Sequence, residues 1–325
     1  MKEKLFMVLD SETATLPFAD EIADTPERKK KIAIAKPLIY NIGWTIANRK
    51  GEIKTKREFL ISETFSVPAI FNTAYYKDKR PIYLEKLKRH EITLTDWNSM
   101  IEVLLADMRT VNGIGCFNSM FDMIKAIPFT ECYIKHLYSD DYYKWENIQR
   151  GFCTRIVNGY EPKKNNSERG FDTFTLRGVT VPMFDIWGLA CKYLLNREKY
   201  KNLCLDLNMV TNSGDFFKTS AESSYRYLCS QYDFNEEHTA LADAEIETYI
   251  LSKIASRRAI EMGIEFFPFR LLGTTTDFIV NGHKTKPERC QVVYDAMNKY
   301  LDGLKYDTPY SMGIRRKVTI IEEYI

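Results

Sequence analysis

The chain is poor in histidine. Only His90, His136, His238 and His283 occur in 325 residues, so a histidine-rich metal site is not expected and histidine chemistry has few candidates. Cysteine pairs are missing too. The seven cysteines (Cys116, Cys132, Cys153, Cys191, Cys204, Cys229 and Cys290) are odd in number, and none sits in a C-x-x-C pair. This argues against a zinc ribbon and a disulfide scaffold, and for buried, reduced thiols in a cytoplasmic protein. An excess of charge is also absent: 46 Lys and Arg face 44 Asp and Glu, a net +2. Binding of nucleic acid by bulk charge is excluded, while a local basic groove is not. No run approaches the about 18 apolar residues of a membrane span, so no membrane partner is expected. The opening MKEKLFMVLDSE has a short apolar run that ends in acids and does not read as a secretory signal. There is no internal repeat and no low-complexity tract.

What remains is an ordinary globular composition, 45% hydrophobic and 28% charged, with enough length for a full core. Leu5 to Leu9 (LFMVL) is a continuous apolar run, as in a strand buried on both faces. Pro37 to Ala47, a turn at Asn48 to Gly51, and Glu58 to Ser62 predict an antiparallel meander. Trp97, Met100, Ile101, Leu104, Leu105 and Met108 mark an amphipathic helix with Thr95 or Asp96 as N-cap. Val111 to Phe117 predicts a short strand, and Met120 to Ile127 a helix that stops before Pro128. A strand over Val179 to Phe184 precedes a helix over Ile186 to Leu195, and Ala221 to Ser230 reads as another helix. Ala240 to Met262 is the longest helical pattern, closed by Gly263. The character changes there, which divides the chain into residues 1–263 and an extension, 264–325.

Three short motifs carry the chemistry. Asp10 and Glu12 are two apart on the opening strand and share a face. Two close carboxylates repel, so one protonates unless a cation lies between them. A D-x-E also fits any strand that ends in polar residues. Asn118-Ser119-Met120-Phe121-Asp122 follows the Val111–Phe117 strand. There Asn118 suits a helix cap and Asp122 a helix dipole, with no chemistry required. In Glu237-His238-Thr239-Ala240-Leu241-Ala242-Asp243, Asp243 continues the stripe of Ile246, Ile250 and Ile254 and therefore faces inward. An inward carboxylate must be paired or bind a metal. His238 alone would read as a capping or packing residue.

The order of these motifs, D-x-E, N-x-x-F-D and H-x-A-x-x-D, resembles the DnaQ-like, DEDDh-type 3′–5′ exonucleases. The resemblance covers roughly residues 4–260 and extends to Tyr40-Asn41-Ile42-Gly43-Trp44 and to Phe184-Asp185-Ile186-Trp187 with Leu189-Ala190. It implies an α/β, RNase H-like mixed sheet flanked by helices, with a small C-terminal extension. It implies that Asp10, Glu12, Asp122 and Asp243 hold two divalent cations, Mg²⁺ or Mn²⁺, and that His238 is the general base. Thr13 and Leu16 fall where the family contacts the terminal nucleotide, and Asn118 and Phe121 shape the same pocket. Where the family often has Gly, five positions after the first Asp, this chain has Thr15. The implied activity is release of nucleoside 5′-monophosphates from the 3′ end of a single strand, with DNA slightly favoured. RNase T-like or oligoribonuclease-like action on RNA stays open, as does a non-catalytic nucleic-acid-binding module. A proofreading role would need a separate polymerase or replication protein as partner. Arg28 to Lys31, Lys163-Lys164 and Arg315 to Lys317 are candidate phosphate contacts, and Tyr138, Tyr142, Tyr143 and Trp145 candidate stacking groups; each also fits an ordinary surface or loop.

Overall fold

The computed structural model describes residues 3–15, 37–137, 173–211 and 216–255, together with Gly214, Ile260, Met262 and Thr275. Leu16, the three basic runs, the group Tyr138 to Trp145, Cys153, Cys290, Gly263 and all of the extension except Thr275 lie outside the described residues.

The chain forms an α/β fold around a mixed sheet of seven strands. They are β1 (Leu5–Thr15), β2 (Pro37–Asn48), β3 (Ile53–Ile61), β4 (Thr93–Thr95), β5 (Ile114–Cys116), β6 (Thr173–Leu176) and β7 (Val179–Asp185), in the order β4-β3-β2-β1-β5-β7-β6. The β1–β2–β3 meander is antiparallel, whereas β5 runs parallel to β1, and β7 parallel to β5. The opening strand is buried on both faces, as its apolar run requires. Met7 and Leu9 enter one core, and Phe6 and Val8 the other. The first core is closed by α1 (Ser62–Phe65), α2 (Pro68–Phe71), α3 (Arg80–Lys88) and α4 (Trp97–Met108). The second is closed by α7 (Ile186–Leu194), α8 (Glu198–Asp206), α9 (Ala221–Cys229) and α10 (Ala240–Ala255). Between them in sequence, α5 (Ser119–Phe121), a π-helical turn (Asp122–Ala126) and α6 (Ile127–Leu137) cross the first face. Among the described residues no helix is long and apolar enough to cross a membrane.

Helix α4 has the bounds read from its stripe, and Asp96 is its cap, accepting from the Ser99 amide. Among the described cysteines, Cys116, Cys132, Cys191 and Cys204 are buried and Cys229 is half-buried, and none of these five is in a disulfide.

Several boundaries differ from the sequence reading. The opening strand does not end in Asp10-Ser11-Glu12, which pair with Gly43, Ile42 and Asn41, but runs on beyond them. Backbone pairing to β2 carries the strand past its polar residues to Thr15. The strand expected over Val111 to Phe117 shrinks to Ile114–Cys116. The helix expected to stop before Pro128 continues through it to Leu137. Pro128 stands in the first turn of α6, where a missing amide costs little, and the π-helical turn before it absorbs the change in register. Asn118 does not cap with its side chain; it takes a left-handed backbone, φ 72°, and the Phe121 amide donates to its carbonyl. The long last helix is described only to Ala255, and Ile260 and Met262 are not helical. Both pack into the second core, with Met262 against Gly113, so packing overrides the helical pattern.

Candidate metal centre

The site forms where β1 meets the start of α10, and the local sequence explains the meeting. On β2, Gly43 pairs with Asp10. A Cβ on Gly43 would lie 2.4 Å from the Leu241 backbone nitrogen, so glycine is what lets the first turn of α10 press against the sheet. Asn41, paired with Glu12, secures that turn: its Oδ1 accepts from the Ala240 amide at 2.9 Å and from the Tyr83 hydroxyl at 3.2 Å. Its Nδ2 donates to the Phe59 carbonyl, so the side chain is saturated on both ends. The β-bulge between Glu12 and Thr13 re-aims the strand immediately after the acid.

Glu12, His238 and Asp243 converge. One ligand atom from each lies within 4.8 Å of the others, a grouping found once among the described residues. Asp10 and Asp122 border this trio and are not part of it. Asp122 is buried and its Oδ1 accepts from the Ser11 hydroxyl at 2.6 Å. Thr13 is half-buried beyond the bulge, and Phe121 is half-buried against the first core.

Further groups at the site were not singled out in the sequence. Glu247, one turn after Asp243 on α10, is buried and accepts from the Phe117 amide at 3.1 Å. Its i+4 spacing from an inward-facing acid was the available signal. Glu236 lies beside His238, with Oε2 at 3.7 Å from Nδ1. Asp185, quoted in the sequence only within the Phe184-Asp185-Ile186-Trp187 segment, is buried in a cluster of amides, accepting from Ser119 and Gly188, and ties the α5 and α7 starts together. Ser11 and Tyr76 carry no signal in their spacing at all.

The electrostatics follow from packing acids together. Burial, then the charges of Glu247, Asp122, Glu12 and Asp243, hold the Asp10 carboxyl well above its ordinary range. Burial and Asp243 push Glu12 up to about 8, with Lys79 opposing. Burial pushes Asp243 and Asp122 each up to about 7, the Ser11 hydroxyl opposing at Asp122. Glu247 is also raised, by burial first and then by Asp122 and Asp243. His238 is held below its ordinary value, by burial and then by the Lys79 cation.

A divalent cation fits this donor set. Asp243 is 8% exposed, and its Oδ1 is buried with no hydrogen-bond partner in the structure. An orphaned carboxylate oxygen within a group of repelling acids is a costly arrangement, and a hard cation with oxygen ligands removes the cost. Glu12 and Asp243, with Asp10 and Asp122 beside them, are the residues that would hold it. Comparison with known proteins adds no assignment: the chain matches no protein-family model, no curated protein and no solved structure.

Proposed function

We propose that the chain is a metal-dependent 3′–5′ exonuclease of the DnaQ-like, DEDDh type on an RNase H-like fold. Its substrate is the 3′ end of a single-stranded nucleic acid and its products are nucleoside 5′-monophosphates. The observation that supports this reading best is the convergence of Glu12, His238 and Asp243, with the orphaned Asp243 oxygen between flanking acids. The seven-stranded mixed sheet with helices on both faces is compatible with that fold.

Two divalent cations would supply a water acidified toward neutrality and stabilisation of the leaving 3′-oxygen. The protein's own groups do the rest. Asp10, Glu12, Asp122 and Asp243 are the donors, and Ser11 holds Asp122 in place. His238, its acidity increased by burial and Lys79, is neutral near pH 7 and so able to take a proton from the attacking water. Its Nδ1 lies 3.7 Å from Glu236 Oε2 and 4.0 Å from Asp243 Oδ2, which turns that ring nitrogen toward the carboxylates.

The test is a degradation assay with Mg²⁺ and end-labelled single strands of matched sequence, DNA and RNA, each with a free or blocked 3′ end. Loss of 3′-terminal nucleotides from the free ends alone supports the reading, and the DNA-to-RNA ratio sets the sugar preference. Binding without hydrolysis in Mg²⁺ and Mn²⁺ would leave a nucleic-acid-binding module and remove the enzyme.

A further inference from the structure

His238 has an unusual setting for a proposed base. Its backbone is left-handed, φ 55°, which for a residue with a Cβ persists only where surrounding structure enforces it. Its side chain is 31% exposed, and Glu236 and Asp243, its nearest carboxylates, stand beyond hydrogen-bond reach at 3.7 and 4.0 Å. Among the described residues, no hydrogen bond fixes the imidazole plane. One contact does: the Tyr76 ring is stacked on it, with centroids 4.4 Å apart and planes 13° from parallel.

Tyr76 is itself held on both sides of the site. It lies in the turn between α2 and the 3₁₀ turn Lys77–Lys79. Three residues earlier, the Thr73 hydroxyl accepts from the Thr15 amide at 2.7 Å, which ties the turn to the end of β1, the strand of Asp10 and Glu12. Three residues later, the Lys79 ammonium donates to the Glu237 carbonyl, next to His238, and lies over the Tyr76 ring at 5.8 Å. The turn therefore bridges the two halves of the site, with Tyr76 at the middle of the span.

We propose that Tyr76 is a positioning residue that sets the plane of the His238 imidazole beside the carboxylates, so that a ring nitrogen is presented to the attacking water. This rests on the exonuclease reading above. The phenol hydroxyl is not needed for that role; the ring face is. An imidazole without the stack samples several rotamers, and the fraction oriented for proton transfer falls, while substrate and metal contacts are untouched.

The experiment uses the full chain and the variants Tyr76→Phe and Tyr76→Ala, read by histidine ring-proton NMR and by steady-state hydrolysis of a single strand. His238→Asn assigns the His238 signal among the four histidines. In the wild type and Tyr76→Phe the His238 ring protons carry an upfield ring-current shift; in Tyr76→Ala that shift is lost. Tyr76→Ala lowers kcat about tenfold or more, out of the about 10²–10⁴ that a positioned base supplies, with KM changed less than about twofold. Tyr76→Phe restores kcat. An unchanged His238 shift in Tyr76→Ala overturns the inference, and so does a lost shift with unchanged kcat, or a loss that Tyr76→Phe fails to rescue. If the wild type hydrolyses nothing, the functional reading falls by that result alone, and the inference with it, while the spectra still decide whether the stack exists.

Discussion

Asp243 is a costly residue in the metal-free chain. Its buried, unpartnered oxygen and its neighbouring acids cost folding energy whenever they are ionised. Asp243→Asn should therefore stabilise the metal-free chain at pH 8 by about 1 to 4 kcal/mol, the upper end being the whole rise of Asp243 from 3.8 to about 7, while it abolishes hydrolysis. Thermal melts with chelator present check this; a destabilised metal-free variant would contradict it. Ser11 acts through another residue, fixing Asp122 with its hydroxyl. Outer groups that orient ligands are typically worth about 10–100-fold in metal affinity or activity, so Ser11→Ala should lose activity in that range with the fold intact. That Asp243 turns inward and that Asp10 and Glu12 lie on one strand was legible in the sequence, because strand and helix periodicities fix which side chains share a face. Ser11 was not, because a serine between two acids on a strand announces no partner 111 positions away.

At the scale of elements, the docking of α10 on β2 places the site. Gly43 permits the close approach and Asn41 secures the helix start. Gly43→Ala drives a methyl group into the Leu241 backbone, which cannot yield as a flexible side chain would. Overpacking of this kind typically costs about 1–3 kcal/mol, and here it should also displace Asp243 from Glu12. The expected result is a lower denaturation midpoint together with weakened Mn²⁺ binding; loss of stability with metal affinity unchanged would show that the docking does not set the site. Some elements were legible and others were not, for physical reasons. The stripe of α4 and the Asp96 cap gave its bounds directly. The β6–β7 hairpin went unread because its two-residue turn is Arg177-Gly178, with both φ angles positive, and Arg rarely occupies the first of those positions. Pro128 misled because a proline usually ends a helix, whereas here the helical run continues through it directly after a π-helical turn. The sheet order itself is a product of non-local pairing, which no local pattern encodes.

Across the whole molecule, the raised acids make stability depend on pH. In the metal-free chain the folded-state values of Asp122 and Asp243 rise from 3.8 to about 7, and that of Glu12 from 4.5 to about 8. A raised carboxyl means that the folded state holds its proton more tightly than the unfolded state. Its contribution is complete below the ordinary carboxylate range and is lost as pH rises through about 7 to 8. The melting temperature of the metal-free chain should accordingly fall between about pH 5 and pH 8, and saturating Mg²⁺ should flatten that slope, because cations bind the ionised form. A metal-free slope of opposite sign would show that the acids do not repel as placed.

Whether these carboxylates gather divalent cations is read most directly by anomalous diffraction from crystals of the full chain soaked in Mn²⁺, alongside crystals of Asp243→Asn treated the same way. Manganese density should appear within ligand distance of Glu12 and Asp243 in the native chain, and be lost or markedly weakened in the variant. A well-ordered native crystal with no manganese at those carboxylates, or with equal density in the variant, would contradict cation binding there.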